Sequence, residues 1–116
     1  MDIKKDLHFL IGKTLMQISF GLYQVQLHFS EDLLIEVGHG IDFFELNGAS
    51  QKWRYSTGRE YFSLNILLET TVIKANVDLS NNLIINFENE KTLKILKGKD
   101  GHESFIIYNK GDFQVL

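Results

Sequence analysis

The sequence contains no cysteine. That excludes disulfides, thiolate catalysis, iron–sulfur clusters and cysteine-ligated zinc, and it matches the usage of a reducing compartment, so a cytoplasmic location is expected. A long apolar run is missing as well. The longest uncharged stretch, Thr14 to Ser30, is broken by Gln17, Ser19, Gln24, Gln26 and His28, which reads as strands and predicts no contact with membrane. Met1 to Asp6 mixes both charge signs and the apolar Phe9, Leu10 and Ile11 stop at Gly12, so no targeting segment is expected. Nor is there an excess of cations. The formal net charge of −3 argues against nucleic acid as the partner, because phosphate binding draws on clustered Lys and Arg.

Chemical signatures are equally sparse. No glycine opens a helix in a GxGxxG or GxxxxGK[ST] pattern, so no phosphate cradle is expected. Serine hydrolysis needs a base held beside the nucleophile, and neither a Gly-rich elbow nor a His-flanked serine occurs. His8, His28, His39 and His102 form no HxH or HExxH spacing, and a metal would require several of them to converge from separate elements. Lys91, Lys94, Lys97 and Lys99 are interspersed with Glu88, Glu90, Asp100 and Glu103, the pattern of a solvated face. The expectation is a protein that is not an enzyme and carries no metal or organic cofactor.

What is present is material for one core. A chain of 116 residues with 44% hydrophobic and 12% aromatic content suits one domain. Ile3, Leu7 and Leu10 stand at helical spacing between Asp2 and Gly12, which predicts a short helix over Ile3–Leu10. From Leu15 the period becomes two: Met16, Ile18 and Phe20, then Tyr23, Val25, Leu27 and Phe29, then Leu33, Ile35 and Val37, strands separated by turns near Gly21 and at Ser30 to Asp32. Ile41 to Leu46 and Trp53 to Tyr55 read as further strands. Thr57 and Glu60 have capping-box spacing ahead of Tyr61, Leu64 and Leu68, predicting a second helix over Arg59–Leu68. Strands restart at Thr71 to Val77, Leu83 to Phe87 and Thr92 to Leu96, and Phe105 to Leu116 closes as a hairpin.

Each half thus reads as a helix followed by a meander. Leu10 to Ile18 can be laid over Leu68 to Ala75, and Leu27 to Ile35 over Ile85 to Ile95. The expected fold class is α+β, mainly β: two antiparallel meanders, each preceded by a short helix, packed as a sandwich or half-barrel so that each sheet shelters the apolar side of the other. A duplication would divide the single domain at about residues 1–56 and 57–116, although any two meanders look alike at this level.

Two groups of residues are candidates for a partner surface. Glu31, Asp32, Glu36, Asp42 and Glu45 lie in a run without Lys or Arg. Solvated acids guard sheet edges, and such a run can also steer a cationic partner. His39, between Gly38 and Gly40, suits a bulge that aims a side chain outward. Trp53, Arg54 and Tyr55 are of the types enriched at binding hot spots, and serve equally as lids on a core.

With its short helix, Gly12 to Leu15, its meander with an acidic turn, its second helix and its repeated meander, the sequence resembles a small family of bacterial cytoplasmic proteins. Some of them resemble immunity proteins of contact-dependent growth inhibition, of the β-rich two-repeat type. The resemblance covers nearly the whole chain and rests on strand spacing. It implies a non-enzymatic immunity protein that binds a cognate toxin domain, a basic nuclease such as a ribonuclease, and covers its active-site cleft. Partner-binding residues would then be Glu31, Asp32, Glu36, His39, Asp42, Glu45, Trp53 and Tyr55, since an acidic run complements a site built for phosphates. The alternative is a small-molecule-binding module or enzyme with a cavity between the sheets, lined by Tyr23, His28 and Tyr108.

Overall fold

The structure, a computed structural model, describes residues 7–21, 24–45, 50–54, 67–98, 105–110 and 112–115. Its strands are β1 Leu15–Phe20, β2 Val25–Phe29, β3 Leu33–Val37, β4 Gly40–Phe44, β5 Ser50–Arg54, β6 Val72–Val77, β7 Leu83–Phe87, β8 Lys91–Leu96, β9 Phe105–Asn109 and β10 Asp112–Val115. They form two five-stranded sheets, in the orders β1-β2-β3-β9-β10 and β5-β4-β8-β7-β6. Every pairing between these strands is antiparallel. The expectation of a mainly β chain holds.

The sheets do not follow the division of the sequence. β1, β2 and β3 make a meander whose open edge is taken by β9 of the second half, with Ile35 opposite Ile107. β6, β7 and β8 make the matching meander, whose edge is taken by β4 of the first half, with Ile41 opposite Ile95. Each half therefore lends a hairpin to the sheet begun by the other. Gly38 and His39 carry the chain from β3 in one sheet to β4 in the other.

A two-fold pattern relates the halves through their backbone hydrogen bonds. The register slips between Leu15 and Gln17 against β2, and likewise between Val72 and Lys74 against β7. Gly12 N donates to Val72 O at 2.8 Å and Glu69 N to Leu15 O at 2.8 Å, while Leu15 N reaches Thr70 O at 3.0 Å and Val72 N reaches Lys13 O at 2.9 Å. These bonds flank a single bridge between Thr14 and Thr71, whose hydroxyl oxygens lie 3.2 Å apart. The two sheets are thus stitched along the start of β1 and β6. Glu31 and Asp32 in one turn, and Asn89 and Glu90 in the equivalent turn, all have positive φ.

The strands form because their alternation has something to cover. Val25, Leu27 and Phe29 point inward from β2, and Leu83, Ile85 and Phe87 from β7, all buried. With Leu15, Ile35, Phe43, Trp53, Leu93 and Phe105 they belong to one hydrophobic cluster fed by both sheets. Fully burying side chains of this kind stabilises by about 1.5–3 kcal/mol each before entropy is counted.

Among the described residues, helix amounts to short 3₁₀ turns. Of the segment Ile3–Leu10, the described part contains a single 3₁₀ turn, His8–Leu10, with Leu10 fully buried. Leu7 and Leu10 have burial to gain, but Gly12, with φ of 89°, turns the chain into the stitch before more helix can follow. Most of Arg59–Leu68, including the capping box, lies outside the described residues. Leu67 occupies in the second half the buried position that Leu10 has in the first.

Candidate functional site

Period-two alternation gives each sheet an outward face. On the first sheet, cross-strand registers place Ser19, Gln26, Glu36 and Ile106 in one row, and Gln17, His28, Leu34 and Tyr108 in the next. Glu36 accepts a hydrogen bond from Gln26 Nε2 at 3.0 Å. Ser19 Oγ lies 3.2 Å from Gln17 Nε2 and 3.4 Å from His28 Nε2. Leu34 and Tyr108 are half-buried and Ile106 is buried. Among the described residues this face carries Glu36 and His28 but neither Lys nor Arg.

The second sheet presents the opposite charge on the same frame. One row runs Asn76, Ile84, Lys94, Asp42 and Lys52, and the next runs Lys74, Asn86, Thr92, Phe44 and Ser50. The two-fold pattern sets Glu36 in the place of Lys94, Gln17 in that of Lys74, and Tyr108 in that of Phe44. Arg54 lies across the end of this face. Its Nη1 stands 2.9 Å from Asp42 Oδ1 and donates to the carbonyls of Trp53 at 2.9 Å and Ile41 at 3.3 Å. Gly40 makes room for it, since a Cβ there would come within 2.8 Å of Arg54 Cδ.

The acidic run is therefore dispersed. Glu31 sits in the β2–β3 turn, exposed, paired with Lys13 Nζ at 2.9 Å; the hydrogen bond and charge of Lys13 hold its carboxyl below the usual range. Asp32 is exposed beside it, its carbonyl accepting from Lys110 N at 3.1 Å. Glu36 belongs to the outward face of the first sheet, whereas Asp42 belongs to the second sheet between two lysines. Glu45 follows β4, half-buried, and His39 is half-buried at the passage between sheets.

Three expectations need correction. Asp42 is not a free acid awaiting a cationic partner: its Oδ1 is buried, accepts no hydrogen bond and faces the Arg54 charge. Trp53 is no exposed anchor, because it points inward from β5 and is 4% exposed. His28 and Tyr108 do not line a space between the sheets, since their neighbours Leu27, Phe29 and Ile107 take the inward positions. Tyr55 and Tyr23 lie outside the described residues. Conversely, Leu34, Ile106 and the Ser19–His28 contact were missed. Their proximity arises from register across strands, which no local spacing reveals.

Among the described residues, no three His, Asp or Glu side chains stand close enough together to hold a metal ion, and no helix is long and apolar enough to cross a membrane. No family model matches the chain, and no curated protein or solved structure matches it.

Proposed function

We propose that the protein is a non-enzymatic, cytoplasmic immunity protein that binds a bacterial toxin domain, a basic nuclease, and covers its cleft. In this reading the two sheets pack face to face as a sandwich, and the outward face of the first sheet is the contact surface. One observation carries it: that face gathers Leu34, Ile106 and Tyr108 around Glu36 and His28, with no Lys or Arg among its described residues. Apolar and aromatic groups surrounding a hydrogen-bonded carboxylate make a hot-spot surface for a cation on the partner, and the missing cations lower the cost of bringing a basic surface close. At the end of the same sheet Asp32 stands beside the exposed Lys110, so the steering charge of this face is that of Glu36.

Titration calorimetry against a cognate toxin domain, which this reading expects to be encoded beside the gene, tests the proposal. One-to-one binding that abolishes nuclease activity is expected. Glu36→Lys should lose about 2–5 kcal/mol of binding and Tyr108→Ala at least 1 kcal/mol, roughly the hot-spot threshold, with melting temperatures near wild type. Wild-type affinity in both variants would move the interface elsewhere, and full nuclease activity in the mixture would end the immunity reading.

A further inference from the structure

The outward face of the second sheet is not used by the function proposed above. We propose that it binds single-stranded nucleic acid.

Net charge conceals this face. The chain is acidic overall, but many of its acids stand at turns: Glu31 and Asp32 before β3, Glu69 before β6, and Glu88 and Glu90 before β8. On the second sheet's outward face the described charges are Lys52, Lys74, Lys94 and Arg54 against Asp42 and, at the end of β6 beside Lys94, Asp78. Asp42 spends its charge on Arg54, so neither of the two contributes to the field offered outward. Lys94 and Lys52 flank Asp42 on the adjacent strands β8 and β5, which sets their backbones about 10 Å apart. Lys52 and Lys74 are exposed. Lys94 leans toward Asp78 at 3.7 Å, a long ion pair that a phosphate can replace.

Charge alone would suit any polyanion. Phe44 selects among them. It ends β4 on the same face, 40% exposed, between Thr92 and Ser50, one row from Lys52 and Lys94 and in the row of Lys74. An open sheet that sets an exposed aromatic ring beside spaced cations stacks a base on the ring and tracks the backbone with the cations. Ile84, beside Lys94, extends the apolar surface across the face, whereas an acidic polypeptide would gain little from Phe44.

Fluorescence anisotropy of the intact protein with a labelled oligouridylate of about a dozen nucleotides reads this out. Binding is expected at roughly 50 mM salt, weakening as salt rises with a log–log slope of about −2, the value for three lysines on a single strand. Lys52→Glu with Lys74→Glu, both at exposed positions, should lose at least tenfold. Phe44→Ala should lose about fivefold or more and leave the salt slope unchanged. Glu36→Gln, on the opposite face, should bind like wild type. Should the double variant fail to fold by circular dichroism, Lys52→Gln serves in its place with a shallower slope expected. No binding, binding indifferent to the lysines, or binding that survives Phe44→Ala and is competed by polyglutamate would overturn the proposal, the last in favour of an acidic polypeptide.

Discussion

Phe29 and Phe87 hold equivalent positions at the ends of β2 and β7, and their rings stack with centroids 6.5 Å apart and planes 10° from parallel. Both are buried where the halves meet. Phe29→Ala and Phe87→Ala should each destabilise by about 3–5 kcal/mol. The double variant should cost less than the sum by about 0.5–1.5 kcal/mol, the coupling of an aromatic pair. Urea unfolding of the four proteins completes the cycle, and strict additivity would show that the rings do not act on each other.

Gly40 and Arg54 form the second pair. A methyl group at position 40 meets Arg54 Cδ at 2.8 Å and Leu96 Cδ1 at 3.1 Å, so Gly40→Ala should push the guanidinium off Asp42 and leave that carboxylate short of its counter-charge. A loss of about 1–3 kcal/mol is expected. In an Arg54→Ala background, where the side chain no longer occupies the space, the same substitution should cost markedly less. Equal costs in both backgrounds, measured by chemical denaturation, would place the strain at Leu96.

Asp78 closes the β6–β7 turn. Its Oδ1 accepts from the backbone N–H of Ser80 and of Asn82, each at 2.9 Å, and its Oδ2 from Asn82 Nδ2 at 3.2 Å. Burial pushes the carboxyl up, but these hydrogen bonds and Lys94 outweigh it and hold it below its ordinary value. A value lowered on folding means that the contribution is fully present above the unfolded-state pKa and fades as pH falls through the folded one. Asp78→Ala should cost about 1–2 kcal/mol at neutral pH. Asp78→Asn keeps one acceptor, so it should cost less while flattening the loss of stability below about pH 4. Stability measured from neutral to acid pH checks both.

Much of the fold is legible in the sequence wherever one face of a strand is buried. Val25, Leu27 and Phe29, or Leu83, Ile85 and Phe87, announce their strands because their neighbours are less apolar and the period is two. The sheet to which β4 belongs is not legible. Its alternation continues that of β3 through Gly38 and His39, and what decides its place is Ile41 meeting Ile95 and Phe43 meeting Leu93, partners half a chain away. Asp42 fails for the same reason: the run from Glu31 to Glu45 has no cation in it, but cross-strand register supplies Lys52 and Lys94. β5 hides Trp53 because Ser50, Gln51, Lys52 and Arg54 show no apolar alternation to mark which side is in. At position 36, by contrast, alternation suffices to place the acid outward.

The exchange of hairpins between halves sets an order on biosynthesis. β3 cannot complete its outer ladder until β9, whose Asn109 pairs with Leu33, has left the ribosome, so the first meander emerges with an open edge and an uncovered apolar side. Pairings this far apart in sequence make for high contact order, slow folding and a window in which the nascent chain is prone to aggregate. Productive folding therefore waits on the second half: emergence of the β9–β10 hairpin, and not completion of the first meander, is the event that commits these sheets.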